Sequence, residues 1–539
     1  MAKNSDKTLA KNASFLMVAA LISKIIGMLY KSPLSTTLGS QSFGLFQYAQ
    51  NVYFILLMIA SFSIPQAVSK IMAERLAFRR YKDAQKVFYC SLLYAVVAGG
   101  VVALFCVFGA GILVPDTMAG ARLALQMLAP TIFLSGILGV FRGYFQAYRK
   151  MMPTSLSQIV EQIFVAVFAL LMSGVMIRVH TGQGDAEVQK WGAAGATLGT
   201  GAGVTAALLF MLVVYVLNHR TISNKIRRDR ASVNEGTAEV IRTIILIVMP
   251  IIFSAFIYNV NGYINSYMYT YILGKKGLDE AILQTMYAEY GYFGTLINIP
   301  LTLASTAPTS TIPEVSAHYV RHELDKANAK IDRATWISMI ISIPSAVGLA
   351  VLADPVTRLI FPGSNGVAGN LMILGSITII LNGNSNITNG VLQGIGKPNI
   401  PMIHAAIALA ADVVSMLLLL NLTHLGIYSV VISMIVYAVV MCVLNEMAII
   451  KYLGYRNPWR SAYLNPLMAS APMAVVAAVV YYVLYHFIRR NFICLVPAIL
   501  LGMIVYFVSY LFISRPSEED LSFLPGGRKL AAIASRIIR

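Results

Sequence analysis

The sequence predicts an all-α polytopic membrane protein of about 14 transmembrane helices, with two parallel six-helix repeats forming two lobes plus two extra C-terminal helices. Three observations predict it. Of the 539 residues, 58% are hydrophobic and only 12% charged, about half the charge of an ordinary soluble domain. Mean hydropathy is +0.71 and comes from apolar runs that recur along the whole chain, each of the roughly 20 residues needed to cross about 30 Å of hydrocarbon. A pair of motifs in the first half also returns in the second. This composition excludes a soluble globular enzyme.

The spans follow in order. Lys3, Lys7 and Lys11 precede an apolar stretch, residues 14–38, without a small-residue cleavage pattern, which reads as a retained first span. Five more run over 45–69, 87–114, 123–148, 155–177 and 191–217, then eight over 240–272, 287–317, 335–353, 371–392, 400–422, 427–450, 466–487 and 493–513. The domains are then an N-lobe (1–218), a basic cytoplasmic linker (219–239), a C-lobe (240–450), the last helix pair (451–514) and a basic cytoplasmic tail (515–539). With both termini cytoplasmic, 29 of the 41 Lys and Arg fall in cytoplasmic segments, the bias that orients polytopic proteins. Eight lie in external segments, where Arg489 and Arg490 form a pair between the last two spans, and four lie within spans. The net charge of +18 is therefore mostly a topology signal. The cluster Lys225, Arg227, Arg228 and Arg230 suits anionic lipid rather than nucleic acid, since no aromatic residues interleave it. The four cysteines form no C-x-x-C pair and imply neither a disulfide framework nor zinc.

The repeat sets the architecture. Gly143, Gln146 and Lys150 end the fourth span, and Gly390, Gln393 and Lys397 end the tenth, a G-x-x-Q-x-x-x-K pattern displaced by 247 residues. Ile64-Pro65-Gln66 and Ile312-Pro313-Glu314 recur at 248. An even number of crossings separates the copies, so the halves are parallel repeats, an arrangement that usually encloses a substrate site.

A charge at mid-bilayer costs about 2.5–3.5 kcal/mol on insertion scales, so each one retained marks a candidate site. Lys24 and Lys31 stand seven residues apart in the first span and, with Gly27 and Ser35, form one polar stripe. The stripe reads as cations lining a hydrated cavity for an anionic ligand; the bland alternative is that Lys31 snorkels to the surface. Arg142 and Arg242 complete the basic set and read as cavity residues or as snorkelling residues near span ends. Glu161 and Asp412 either pair with a basic residue or carry a coupling ion, Na+ or H+. Asn259 and Asn261 lie in a seventh span unusually dense in amides and phenols, and Asn298 stands beside Pro300 in an eighth span broken by proline. Both read as cavity walls. Asn384 and Asn389 in the tenth span suit a cavity or interhelical glue equally. No G-x-x-x-x-G-K-[ST] loop is present, so energy comes from voltage or an ion gradient. These features favour a transporter over a membrane enzyme, which would more often expose a loop domain with acids or histidines, and over a scaffold, which needs no charges inside its spans.

The motifs K-N-A-S-F-L, S-K-I-I-G-x-x-Y-K, S-I-P-Q-A-V-S and F-R-G-Y-F-Q-A-Y-R-K-M-M-P-T-S-L-S-Q-I-V-E-Q resemble the polysaccharide-export branch of the MOP exporter superfamily, in particular the MurJ-type lipid II flippases and their sporulation relatives. The resemblance covers nearly the whole chain. It implies fourteen helices in two lobes and export of undecaprenyl-pyrophosphate-linked peptidoglycan precursor (lipid II) to the outer leaflet. It implies that two basic residues of the first helix engage the pyrophosphate, matched by Lys24 and, within one position, by Lys31. The family's acid early in the second helix has no counterpart among Gln47, Gln50 and Asn51, and Thr295 and Asn298 stand where its eighth helix carries an arginine. Some members bind sodium between helices seven, eleven and twelve, where Asp412, Asn259 and Asn261 are the available ligands.

The expected protein is a lipid II flippase of the bacterial cytoplasmic membrane, not an enzyme, working by alternating access driven by membrane potential or an ion gradient. It needs no cofactor beyond Na+ or H+. Its partners are the lipid-linked glycan, membrane lipids and the cell-wall synthesis machinery, without nucleic acid, and it is a monomer. The alternatives are another lipid-linked oligosaccharide as cargo (teichoic acid, capsule, spore cortex) and a MATE-type cation or drug antiporter.

Overall fold

The computed structural model describes residues 19 and 21–516, except the side chains at 219, 221 and 306–310. Lys3, Lys7, Lys11 and the tail beyond Pro516 lie outside the described residues. Among the described residues eleven helices are long and apolar enough to cross a membrane, or twelve if one bent pair counts as a single span. The chain divides into two compact units, one ending at Gly291 and one beginning at Tyr292.

In the first unit, residues 21–29 are helical and α1 (Lys31–Leu57) follows. The loop expected between the first two spans is a single residue. Gly39 (φ 72°, ψ 167°) breaks the helix and it resumes at once, a backbone state that only glycine adopts without strain. A π-helical turn, Met58–Phe62, then leads into α2 (Ile64–Ala77). Pro65 explains the turn, because its ring has no N–H for the carbonyl four residues back and crowds it. The unit continues with α3 (Tyr81–Phe108), α4 (Gly120–Ala147), α5 (Met151–His180), α6 (Asp185–Arg227), α7 (Thr237–Lys275) and the start of α8 (Glu280–Ala304). The expected linker is shorter than its sequence suggests, since α6 runs on to Arg227 and takes up Lys225.

The second unit takes the rest of α8, then α9 (Thr306–Val320), α10 (Leu324–Val351), α11 (Ala353–Ile360), α12 (Val367–Gly375), α13 (Ile377–Gly394), α14 (Asn399–Leu422), α15 (Tyr428–Leu453), α16 (Asn465–Ile488) and α17 (Asn491–Ser514). The eighth span is broken at Ser305, and α12 and α13 meet at 45°.

Each unit brings its two motifs together. A Cβ at Gly143 would stand 2.7 Å from the carbonyl oxygen of Pro65, and one at Gly390 would stand 2.3 Å from Ile312 Cδ1. Both helices close with the same left-handed turn. Arg149 (φ 58°) donates its N–H to Gln146 O at 2.8 Å and Lys150 to Phe145 O at 3.0 Å; Gly396 (φ 78°) donates to Gln393 O at 3.1 Å and Lys397 to Leu392 O at 3.0 Å.

Without a hydrophobic force between helices in lipid, close backbone approach holds them together. Gly195, Gly199 and Gly203 form a four-residue stripe on α6 against α5, where a Cβ would stand 2.6 Å from Met172 O, 2.3 Å from Ala169 N and 2.4 Å from Val165 Cγ2. Alanine is the better helix former, yet at Gly199 its methyl meets backbone that cannot yield. Gly199→Ala is expected to destabilise the protein by about 1–3 kcal/mol, read as a lower melting temperature in detergent. Gly100→Ala, with nothing within 4 Å of its Cβ, is the control and should leave stability unchanged or raise it.

Candidate functional site

The polar residues of the first unit form a connected track. Lys31 Nζ donates to Gln47 Oε1 at 3.4 Å. Gln47 is a neutral acceptor, so it orients the ammonium without cancelling its charge. Space for it comes from Gly291, where a Cβ would stand 2.8 Å from Gln47 Cγ. One turn on, Gln50 Nε2 donates to Thr200 Oγ1 at 2.9 Å. Asn51 Nδ2 reaches Ser266 Oγ at 2.7 Å, Gly262 O at 3.1 Å and the Tyr287 hydroxyl at 3.1 Å, while Tyr287 donates to Ser266 Oγ at 2.9 Å. The residues standing where an acid is implied by resemblance are thus amides that tie α1 to α6, α7 and the start of α8. Lys24, two turns before Lys31, is exposed, and Gln162 of α5 reaches the same helix at Gly27, where a Cβ would stand 3.0 Å from its Oε1.

Other expected site residues have specific local roles. Arg142 donates to Glu161 Oε2 at 2.6 Å and to Ser157 Oγ at 3.0 Å, joining two residues read separately in the sequence into one ion pair between α4 and α5. Arg242 is exposed on α7. Asn259 donates to Ala255 O at 2.8 Å and Asn298 to Gly294 O at 2.8 Å, both within their own helices, and Asn261 Oδ1 accepts from Gly262 N at 2.8 Å. In the second unit Asp412 is fully buried in α14. Asn384 and Asn389 act as interhelical glue, accepting from Tyr463 at 2.9 Å and from Asn445 at 2.7 Å; Asn445 also meets His404 Nδ1 at 2.8 Å.

The basic linker contains a feature hidden by its arginines. Between α6 and α7, Asp229 and Glu235 clasp the turn between α2 and α3. Glu235 bridges Arg75 at 2.9 Å and Arg80 at 2.6 Å. Asp229 accepts from Lys82 N at 2.8 Å and from Ser232 Oγ at 2.6 Å, and Asp83 accepts from Val233 N at 2.9 Å. Burial pushes the Asp229 carboxyl up, but hydrogen bonds from Ser232, Lys82 and Ala231 outweigh it and hold the group down at about 2.

Two outcomes are expected. Arg142→Gln and Glu161→Gln should each lower the melting temperature, while the double variant loses less than the two together, with a coupling of about 1–3 kcal/mol in a double-mutant cycle. The folded pKa of Asp229 lies below its unfolded value, so its contribution is complete above the unfolded pKa of about 4 and fades as pH falls toward 2. Asp229→Asn should flatten the stability loss between those two values, measured as melting temperature against pH.

Comparison with known proteins agrees with this architecture. A family model described as polysaccharide biosynthesis protein matches residues 9–319. The chain is 24% identical over 429 residues to the lipid II flippase MurJ of Bacillus subtilis (strain 168), covering 75% of this chain and 76% of that protein. It is 22% identical over 452 residues to stage V sporulation protein B of the same organism, covering 83% and 85%. Among solved structures it is similar to a lipid II flippase MurJ in an inward closed conformation, with a TM-score of 0.63 at 14% identity, covering 93% of this chain and 98% of that one. It is also similar to an inward-facing multidrug resistance MATE family transporter of the MOP superfamily, with a TM-score of 0.57 at 16% identity, covering 81% and 94%. The fold is therefore that of the MurJ and MATE transporters, and the chain is a multi-pass membrane protein that belongs to the polysaccharide biosynthesis protein family.

Proposed function

We propose that this protein is a flippase that exports undecaprenyl-pyrophosphate-linked peptidoglycan precursor, lipid II, from the inner to the outer leaflet by alternating access. The observation that carries the reading is Lys31, an ammonium inside an apolar helix, oriented by the neutral Gln47 rather than neutralised by it. Lys24 stands seven residues before it, in the helical segment 21–29 that leads into α1. Such a pair suits the pyrophosphate of a lipid-linked glycan: at an effective dielectric of about 20, one lysine to phosphate contact at about 4 Å contributes on the order of 4 kcal/mol. That offsets the cost of keeping the cation in the membrane. Likeness to a lipid II flippase over three quarters of both chains supports the cargo. An inside-negative membrane supplies direction, since moving one charge through 100 mV is worth about 2.3 kcal/mol and drives anions outward.

In this reading the chain has fourteen spans in two parallel repeats plus two extra helices, with both termini in the cytoplasm of a bacterial cell. The matching contacts of Gly143 with Pro65 and of Gly390 with Ile312 support the repeat. Arg142 and Glu161 lock α4 to α5, and Asp412 is the candidate carrier of a coupling Na+ or H+. The protein works as a monomer beside the cell-wall synthesis machinery.

A second reading keeps the mechanism and changes the glycan to a spore-cortex precursor, favoured by the likeness to stage V sporulation protein B over more than four fifths of both chains. A MATE-type drug antiporter shares the fold but is disfavoured, because Lys24 and Lys31 repel a cationic drug.

Lys31→Ala is expected to abolish complementation of a strain depleted of this protein while membrane levels stay normal, and Lys31→Arg to restore most growth. Full growth with Lys31→Ala at normal abundance contradicts the reading.

A further inference from the structure

The second unit carries a cavity of about 570 Å³ where the end of α9, the start of α10 and the ends of α13 and α15 converge. Tyr319, Leu324, Ile395 and Tyr452 give it aromatic and aliphatic walls, and His322 lies on its lining. Two cations stand at Tyr452: Lys397 Nζ is 4.4 Å and Lys451 Nζ 5.6 Å from the ring centroid. The ring face attracts each ammonium without neutralising its charge. Glu323, in the adjoining turn, is committed to His318 at 2.6 Å and Lys326 at 3.2 Å.

The first unit answers the same geometry from its own chain. Lys150, the motif counterpart of Lys397, donates to Asn218 Oδ1 at 2.8 Å. The turn at Arg79 (φ 59°), which matches the turn at His322 (φ 59°), is covered by the carboxylate of Glu235 through Arg75 and Arg80. In the second unit, among the described residues, no ion pair joins a carboxylate to Lys397 or Lys451.

We propose that this cavity is a binding site for an anionic phospholipid, whose phosphodiester meets Lys397 and Lys451 while its glycerol and first methylenes lie on Tyr319, Leu324 and Tyr452. The apolar walls favour a lipid over free phosphate, which has no apolar part to bury. Cationic pockets between helix ends at a membrane surface suit such headgroups. The proposal requires only a membrane-embedded chain and is independent of the cargo.

Native mass spectrometry of the detergent-solubilised protein, titrated with phosphatidylglycerol or phosphatidylcholine, tests it. The wild type is expected to retain one tightly held phosphatidylglycerol and to prefer it to phosphatidylcholine. Combining Lys397→Gln with Lys451→Gln should weaken that adduct by about thirtyfold, the effect of two lysines at an anionic surface. Lys397→Arg should preserve it, and so should the control pair Arg489→Gln and Arg490→Gln, exposed and outside the cavity. The thermal shift given by phosphatidylglycerol should follow the same order, and Lys451→Gln alone, at an exposed position, gives a partial loss if the double variant does not fold. Equal affinity for both lipids, an adduct untouched by the lysine substitutions, or displacement by millimolar inorganic phosphate each overturns the proposal.

Discussion

An ammonium held inside an apolar helix is the constraint on which this protein depends. Lys31 lies in a helix built to cross hydrocarbon, and its retention there is costly unless something polar stands ready for it. The chain provides Gln47 from beyond the Gly39 break, and the room for Gln47 comes from a glycine at 291. Had an acid stood at 47, the pair would be self-neutralising and would have less to offer an anionic ligand. The amides that follow, Gln50 and Asn51, extend the same solution, giving polar atoms partners in neighbouring helices without introducing a further charge.

Around that line the unit is held by approach rather than by apolar force. Glycines at four-residue spacing let α6 lie against the backbone of α5, and the Arg142–Glu161 pair fastens α5 to α4. The same economy shows in the motif contacts, where a glycine on one helix receives the proline-bearing stretch of another. In the first unit the proline carbonyl itself is the neighbour, and in the second it is the preceding isoleucine. Outside the spans, Asp229 and Glu235 fix the approach to α7 by binding the turn between α2 and α3.

Much of the fold was legible because hydropathy over about 20 residues and the bias of Lys and Arg are properties of composition, needing no partner to be known. Lys31 was legible for the same reason, since a charge in an apolar run is conspicuous alone. What escaped the sequence depended on pairing. Arg142 and Glu161 are both visible in it, but their partnership is a matter of helix rotation. Gln47 and Asn51 were visible in the second span only as amides where an acid was implied, and their partners Lys31, Ser266 and Tyr287 depend on how separate helices face one another. Asp229 and Glu235 were masked by the arginines around them, which dominate any count of charge. Asn259 and Asn298 stood out by the density of amides around them, and what the sequence did not show is that each donates to a carbonyl of its own helix.

The most direct measurement is the distribution of lipid II between the two leaflets after this protein is depleted in its own host, with any second flippase removed. Accumulation of the precursor on the inner leaflet, followed by loss of cell shape or lysis, is the result expected of a lipid II exporter. An unchanged distribution under the same depletion contradicts that function.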